Sequence, residues 1–148
     1  MITESLRSLY SRDLNKLKAE IEAYQSEENL WKTDKNIANS AGNLVLHLVG
    51  NLNHFLGTHL GNTGYLRQRD LEFSLKDVPR TELIEKVEAT AIMIDTVLSQ
   101  LSEEDLKKEY PIVVFESKMT IDYFLIHLIA HLDYHLGQIN YHRRLLDI

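Results

Sequence analysis

The chain has 148 residues, 44% of them hydrophobic, and a formal net charge of −6. That length suits one ordinary domain with a sizeable core, residues 1–148, and the apolar content argues against a disordered chain. The absence of cysteine excludes disulfides, thiolate metal ligands and a protein thiol nucleophile, and an acidic balance without a basic stripe argues against a nucleic-acid partner.

The N-terminal stretch MITESLRSLYSRDL carries charges where a secretory signal needs an apolar run. No segment is apolar for long enough to span a bilayer, so a soluble cytoplasmic protein with no membrane partner is expected. Ile2, Leu6, Leu9, Tyr10, Leu14, Leu17, Ile21 and Tyr24 recur at threes and fours, which predicts an amphipathic first helix. The polar stretch SEENLWKTDKN interrupts it, and Trp31 within it reads as a packing residue. Asn39 or Ser40 can cap a second helix through AGNLVLHLVGNLNHFLGTHL. Gly42, Gly50 and Gly57 recur along that helix, where glycine costs about 1 kcal/mol relative to alanine and often marks the close approach of another group.

From about Asn62 to Arg80 no periodicity is visible. Irregular connections this long are uncommon in compact domains and usually serve as a lid, a binding loop or an interface arm. This one carries RQRDLEF, with Arg67, Arg69, Asp70 and Glu72 in close succession. Thr81, between Pro79 and Glu82, opens a third helix bearing Ile84, Val87, Ala91, Ile94, Leu98 and Leu101. Ser102 caps a short acidic turn, YPIVVF reads as an extended connector, and Ser117 or Thr120 starts a last helix that runs to the end. Four long amphipathic helices with polar connections indicate an all-α, up-and-down four-helix bundle.

The last helix contains a ladder of His127, His131 and His135 in LIHLIAHLDYHLGQINYH. Residues four apart lie on one stripe of a helix, about 5–6 Å apart, and two such imidazoles can close on a single ion. His127 and His135 are roughly 12 Å apart along the axis, so His131 pairs with one or the other. The second helix has its own polar stripe of Asn43, His47, Asn51 and His54. One histidine from it and an adjacent pair from the ladder would supply three nitrogen ligands and leave a position for water or substrate, as in catalytic zinc sites. Gln138, Asp133 or a backbone carbonyl can orient a ladder histidine through its second ring nitrogen. His54, roughly 10 Å from His47 along the axis, cannot share its ion and reads as a lining or core residue. His59 and His142, near helix ends, read as surface groups.

Other chemistries fail on spacing. No glutamate has a histidine three positions later, as carboxylate-bridged di-iron bundles need, and His-Glu-x-x-His is absent. Neither a Gly-x-Ser-x-Gly elbow nor a phosphate loop nor a dinucleotide fingerprint occurs.

The segments NSAGNLVLHLVGNLNHF, RQRDLEF and HLIAHLDYHLGQINY together resemble the DinB-like (YfiT-like) superfamily, within its branch of small uncharacterised bacterial proteins, over roughly residues 31–146. The resemblance implies a four-helix bundle holding a divalent ion, zinc or nickel, on three histidines. At matching positions these are His47, His131 and His135, the Gly137–Gln138 pair selecting this register. It further implies a transferase working with a low-molecular-weight thiol such as bacillithiol or glutathione, a small-molecule substrate and a homodimer. On that reading the ion activates the thiol, and Asn51, His54, His127, Gln138 and Arg69 are candidates for contacts around the ligands or the substrate. Arg69, with Arg67 beside it, would clamp a carboxylate unless paired with Asp70, Glu72 or another subunit. The competing expectation is a non-catalytic metal-binding or dimeric bundle with a structural or ligand-sensing role. No catalytic residue is singled out on either reading.

Overall fold

The computed structural model describes residues 1–148 and is all-helical, with a single isolated bridge between Glu109 and Thr120 in place of any strand. Helix α1 (Ile2–Ala23) buries Leu6, Tyr10, Leu14, Leu17 and Ile21, the stripe that its periodicity predicts. The Tyr10 hydroxyl is carried into the core and donates to the Leu125 carbonyl at 2.6 Å, which satisfies it. The polar interruption that follows contains a short 3₁₀ turn, Glu27–Trp31.

Helix α2 (Ala41–Leu52) differs from the others in being apolar almost all round, and every one of its 12 residues is buried. Ser40 caps it by accepting from the Asn43 backbone N–H at 3.2 Å. Beyond Leu52 the helix widens into a π turn, Asn53–Thr58, and ends in an α turn, His59–Gly61. The glycines along it mark close approaches. A Cβ at Gly42 would lie 2.7 Å from the Trp31 ring, as expected if Trp31 packs against the helix.

The segment expected to be irregular contains a helix, α3 (Arg69–Ser74). At six residues it is too short to display a period, and its one buried position is a glutamate, not a leucine, so hydrophobic patterning cannot find it. Two more long helices complete the fold: α4 (Arg80–Ser99), one residue earlier than Thr81, and α5 (Ile121–Leu146), begun by Thr120. The Ser102 hydroxyl accepts from the Asp105 backbone N–H at 3.1 Å, ahead of a short 3₁₀ turn, Asp105–Lys107. Helix α2 packs against α3, α4 and α5, and α1 against α4 and α5. Leu125, Leu128, Ile129, Leu132, Leu136 and Ile139 of α5 are all buried. No helix is long and apolar enough to cross a membrane.

One expectation about the end of α5 is overturned. His142 is buried, 8% exposed, not a surface group. It follows Ile139 on the core side of the helix, and the helix end does not splay away. The Asp147 carboxylate accepts from the Gln25 and Ser26 backbone N–H groups and from Asn29 Nδ2, tying the C-terminus to the end of α1. His59 is likewise half-buried, its ring edge-on to His54 at 4.8 Å.

Candidate metal centre

Three histidines converge between α2 and α5. One ring nitrogen from each of His47, His131 and His135 lies within 4.8 Å of the others. His47 Nε2 and His131 Nε2 face each other at 3.2 Å. Two nitrogens each about 2.0–2.1 Å from a tetrahedral ion would lie about 3.3 Å apart, so this separation fits a shared metal. The donor set is three imidazole nitrogens on packed helices, the composition expected of a site for zinc or a similar transition metal.

His47 is buried, and its environment settles which nitrogen points inward. Nδ1 lies 3.0 Å from Glu72 Oε1, so Nδ1–H donates to the carboxylate and Nε2 keeps its lone pair for the cluster. Glu72 is 6% exposed, and Arg67 neutralises it by donating from Nε to Oε2 at 2.9 Å and from a terminal nitrogen to Oε1 at 3.0 Å. Burial pulls the Glu72 carboxyl pKa upward. The hydrogen bonds from His47 and Arg67 outweigh that and hold it below its ordinary value.

Gly50 makes this arrangement possible. A Cβ there would sit 1.9 Å from Glu72 Oε2, so the carboxylate occupies the space that any side chain on that turn of α2 would fill. Asn43, one turn before His47, holds α3 in place: its Nδ2 donates to the carbonyls of Glu72 at 3.0 Å and Leu75 at 2.8 Å. Lys76 and Ser40 donate to its Oδ1. The first half of the polar stripe, Asn43 and His47, is therefore a socket for α3. In the sequence Glu72 is one charge in the run RQRDLEF, and nothing there shows its part in the site. The one local signal is Gly50, which marks a close approach to α2 without saying what approaches.

The two α5 histidines are held more lightly. His135 Nδ1 lies 2.7 Å from Gln138 Oε1, so it donates to the amide and leaves Nε2 for a metal. His131 Nδ1 is buried and has no hydrogen-bond partner. Burial, with the nearby His135 and His47, pushes the His131 pKa down to about 4, which keeps the ring neutral and able to bind a metal at neutral pH. Burial also lowers His135.

A cleft of about 290 Å³ opens beside the cluster, lined by His47 and His131 together with Asn51, Arg69, Phe115 and His127. His127 thus lies in the cleft, stacked on Phe124 at 5.9 Å and outside the three-histidine cluster. His54 does not line it; its half-buried ring packs edge-on against Phe55 at 4.7 Å. Arg67 is engaged by Glu72, which removes it as a free clamp, whereas Arg69 lies over the Phe73 ring at 5.2 Å. Asp133 does not orient a histidine; it shares a hydrogen bond with Asp13 on the far side of α5. A larger depression of about 680 Å³, bounded by Lys107, Ser117 and Tyr123, includes none of the three histidines.

The chain is thus an all-helical protein with a three-histidine group that could hold a metal ion. It belongs to a family described as protein of unknown function (DUF1572), whose model matches residues 4–147. No curated protein matches it.

Proposed function

We propose that His47, His131 and His135 bind one divalent ion, zinc or nickel, in a DinB-like up-and-down bundle formed by the four long helices as one domain. On this reading the chain is a metal-dependent transferase that uses a low-molecular-weight thiol such as bacillithiol or glutathione. The observation that carries it is the 3.2 Å approach of His47 Nε2 and His131 Nε2, with the His47 Nδ1–H committed to Glu72. A bound divalent ion supplies Lewis acidity, which favours the thiolate of a thiol substrate at neutral pH. Glu72 fixes the His47 tautomer and Gln138 fixes that of His135. The cleft beside the cluster, and a group of three protein ligands where a closed site has four, favour an open, reactive centre over a structural one. We place the protein in the cytoplasm, where such thiols are abundant. The apolar side chains left exposed along α5, among them Ile126, Tyr134 and Tyr141, favour a homodimer, which sedimentation would reveal.

Elemental analysis of tag-free protein tests the reading. About one ion per chain is expected, lost in both His47→Ala and His131→Ala. No ion after incubation with zinc or nickel would sink it. With the ion established, a screen of thiols against electrophilic acceptors would test transfer, and an inert loaded protein would favour the non-catalytic alternative.

A further inference from the structure

The cleft has a chemical character of its own. Its wall is aromatic: Phe55 meets Phe124 edge-on at 5.0 Å, Phe115 meets Phe124 at 6.1 Å, and the His127 ring lies 4.9 Å from Phe115. Phe115 is 49% exposed, so the wall presents ring surface that the fold itself does not cover.

Among the polar groups of the cleft, two are left without a partner in the protein, the Asn51 side-chain oxygen and Arg69. Asn51 is 7% exposed, and its side-chain oxygen has no hydrogen-bond partner in the protein. A buried acceptor of this kind is paired in most proteins, and Asn51 is one of the residues that line the cleft. Of the two guanidinium groups in the lining, Arg67 is already neutralised by Glu72, while Arg69 forms no ion pair. Arg69 lies over Phe73, an arrangement that leaves the edge of the planar group free to meet a planar anion. The volume, about 290 Å³, stands at the small end of ligand sites, enough for one ring with a short substituent.

We propose that this cleft binds a small aromatic carboxylate bearing a hydroxyl or N–H donor, its ring against Phe115 and Phe124, its carboxylate on Arg69 and its donor on Asn51. The ligand is proposed as a bound molecule beside the candidate metal centre, and no transfer to it is assigned. Its binding does not depend on the metal-centre reading, so the two are tested separately.

Titration of metal-free and zinc-loaded protein with phenylacetate, its three hydroxy isomers, phenylacetamide, propionate and inorganic phosphate, followed by NMR or calorimetry, decides the matter. Phenylacetate is expected to bind about tenfold or more tightly than phenylacetamide, and at least one hydroxy isomer more tightly still. Propionate, which lacks the ring, should bind about tenfold more weakly than phenylacetate. Arg69→Gln, a change at an exposed residue, should abolish the preference for acid over amide, and Phe115→Ala should weaken every aromatic ligand. Equal binding of acid and amide, phosphate competing as well as phenylacetate, no gain from a hydroxyl in any isomer, or an unaltered preference in Arg69→Gln would each overturn the proposal. Acid binding without zinc binding would leave it standing and remove the metal reading; zinc binding without acid binding would do the reverse.

Discussion

His47 and His131 face each other across 3.2 Å, yet they are held in opposite ways. His47 stands on a wholly buried helix, with its outer nitrogen committed to a buried carboxylate that is itself clamped by Arg67. His131 is half-buried and has no partner for its outer nitrogen. On the α2 side the outer ring nitrogen is fixed by a buried ion pair; on the α5 side it is fixed only at His135, by the Gln138 amide. The α2–α3 side should therefore govern both folding and metal affinity, and the α5 side metal affinity alone.

The largest effects are expected where α3 enters α2. Glu72→Ala removes one member of a buried ion pair, leaving Arg67 uncompensated and His47 Nδ1 without an acceptor, at a cost of about 3 kcal/mol. Gly50→Ala should do similar damage from the other partner. Its Cβ would fall 1.9 Å from Glu72 Oε2, and expelling that carboxylate outweighs the roughly 1 kcal/mol of helix propensity gained. Urea denaturation of the metal-free proteins measures both. A Gly50→Ala protein as stable as the parent would show that Glu72 has room to move and that the socket is not needed. His131→Ala makes the contrast: it should abolish metal binding but cost the metal-free fold less than half as much as Glu72→Ala.

A smaller effect is expected at Gln138, whose amide holds His135 from 2.7 Å. Gln138→Ala should lower zinc affinity about 10- to 100-fold, with an unchanged melting temperature for the metal-free protein. Competition against a chromophoric chelator reads the affinity. Equal losses of affinity and stability would mean that the two sides of the centre are not as different as their contacts.

The same difference explains what is legible without coordinates. The long helices can be read because Leu6, Tyr10, Leu14 and their counterparts repeat at helical spacing, and α5 shows its histidines because they repeat too. Spacing alone leaves His131 free to pair with His127 or His135. The observed cluster joins it to His135, while His127 turns to the aromatic wall of the cleft. What stays hidden lies between elements distant in sequence. Glu72 reads as one charge in a polar run, and only the packing of α3 on α2 makes it a buried partner of His47. Gly50 can be flagged as a close approach, but nothing local says that the approaching group is a carboxylate. For His142, nearness to a helix end suggests exposure, whereas the structure buries it where Asp147 ties that end of α5 back to the end of α1, contacts that are long-range.

The smallest effect separates the centre from the opposite side of α5, where two carboxyl groups meet. Glu72 is held below its ordinary pKa by the hydrogen bonds from His47 and Arg67, so its stabilising contribution is present above the unfolded value and is lost as pH falls. Asp133 has the opposite sign. Burial, and then the hydrogen bond to Asp13 and that group's charge, push it up to about 6, so the folded state favours its proton. The favourable contribution is complete below the unfolded value of about 3.9 and disappears as pH rises through about 6, leaving at neutral pH a repulsion that Arg12 and Lys16 relieve only in part. Asp133→Asn supplies a permanent donor to Asp13 and removes that charge. Because Asp133 is exposed and screened by solvent, the gain at pH 7.5 should be about 1 kcal/mol, shrinking towards zero below pH 4. Chemical denaturation of the metal-free proteins at both pH values gives the comparison. A gain that persists at low pH would assign the effect to packing and not to the shared proton.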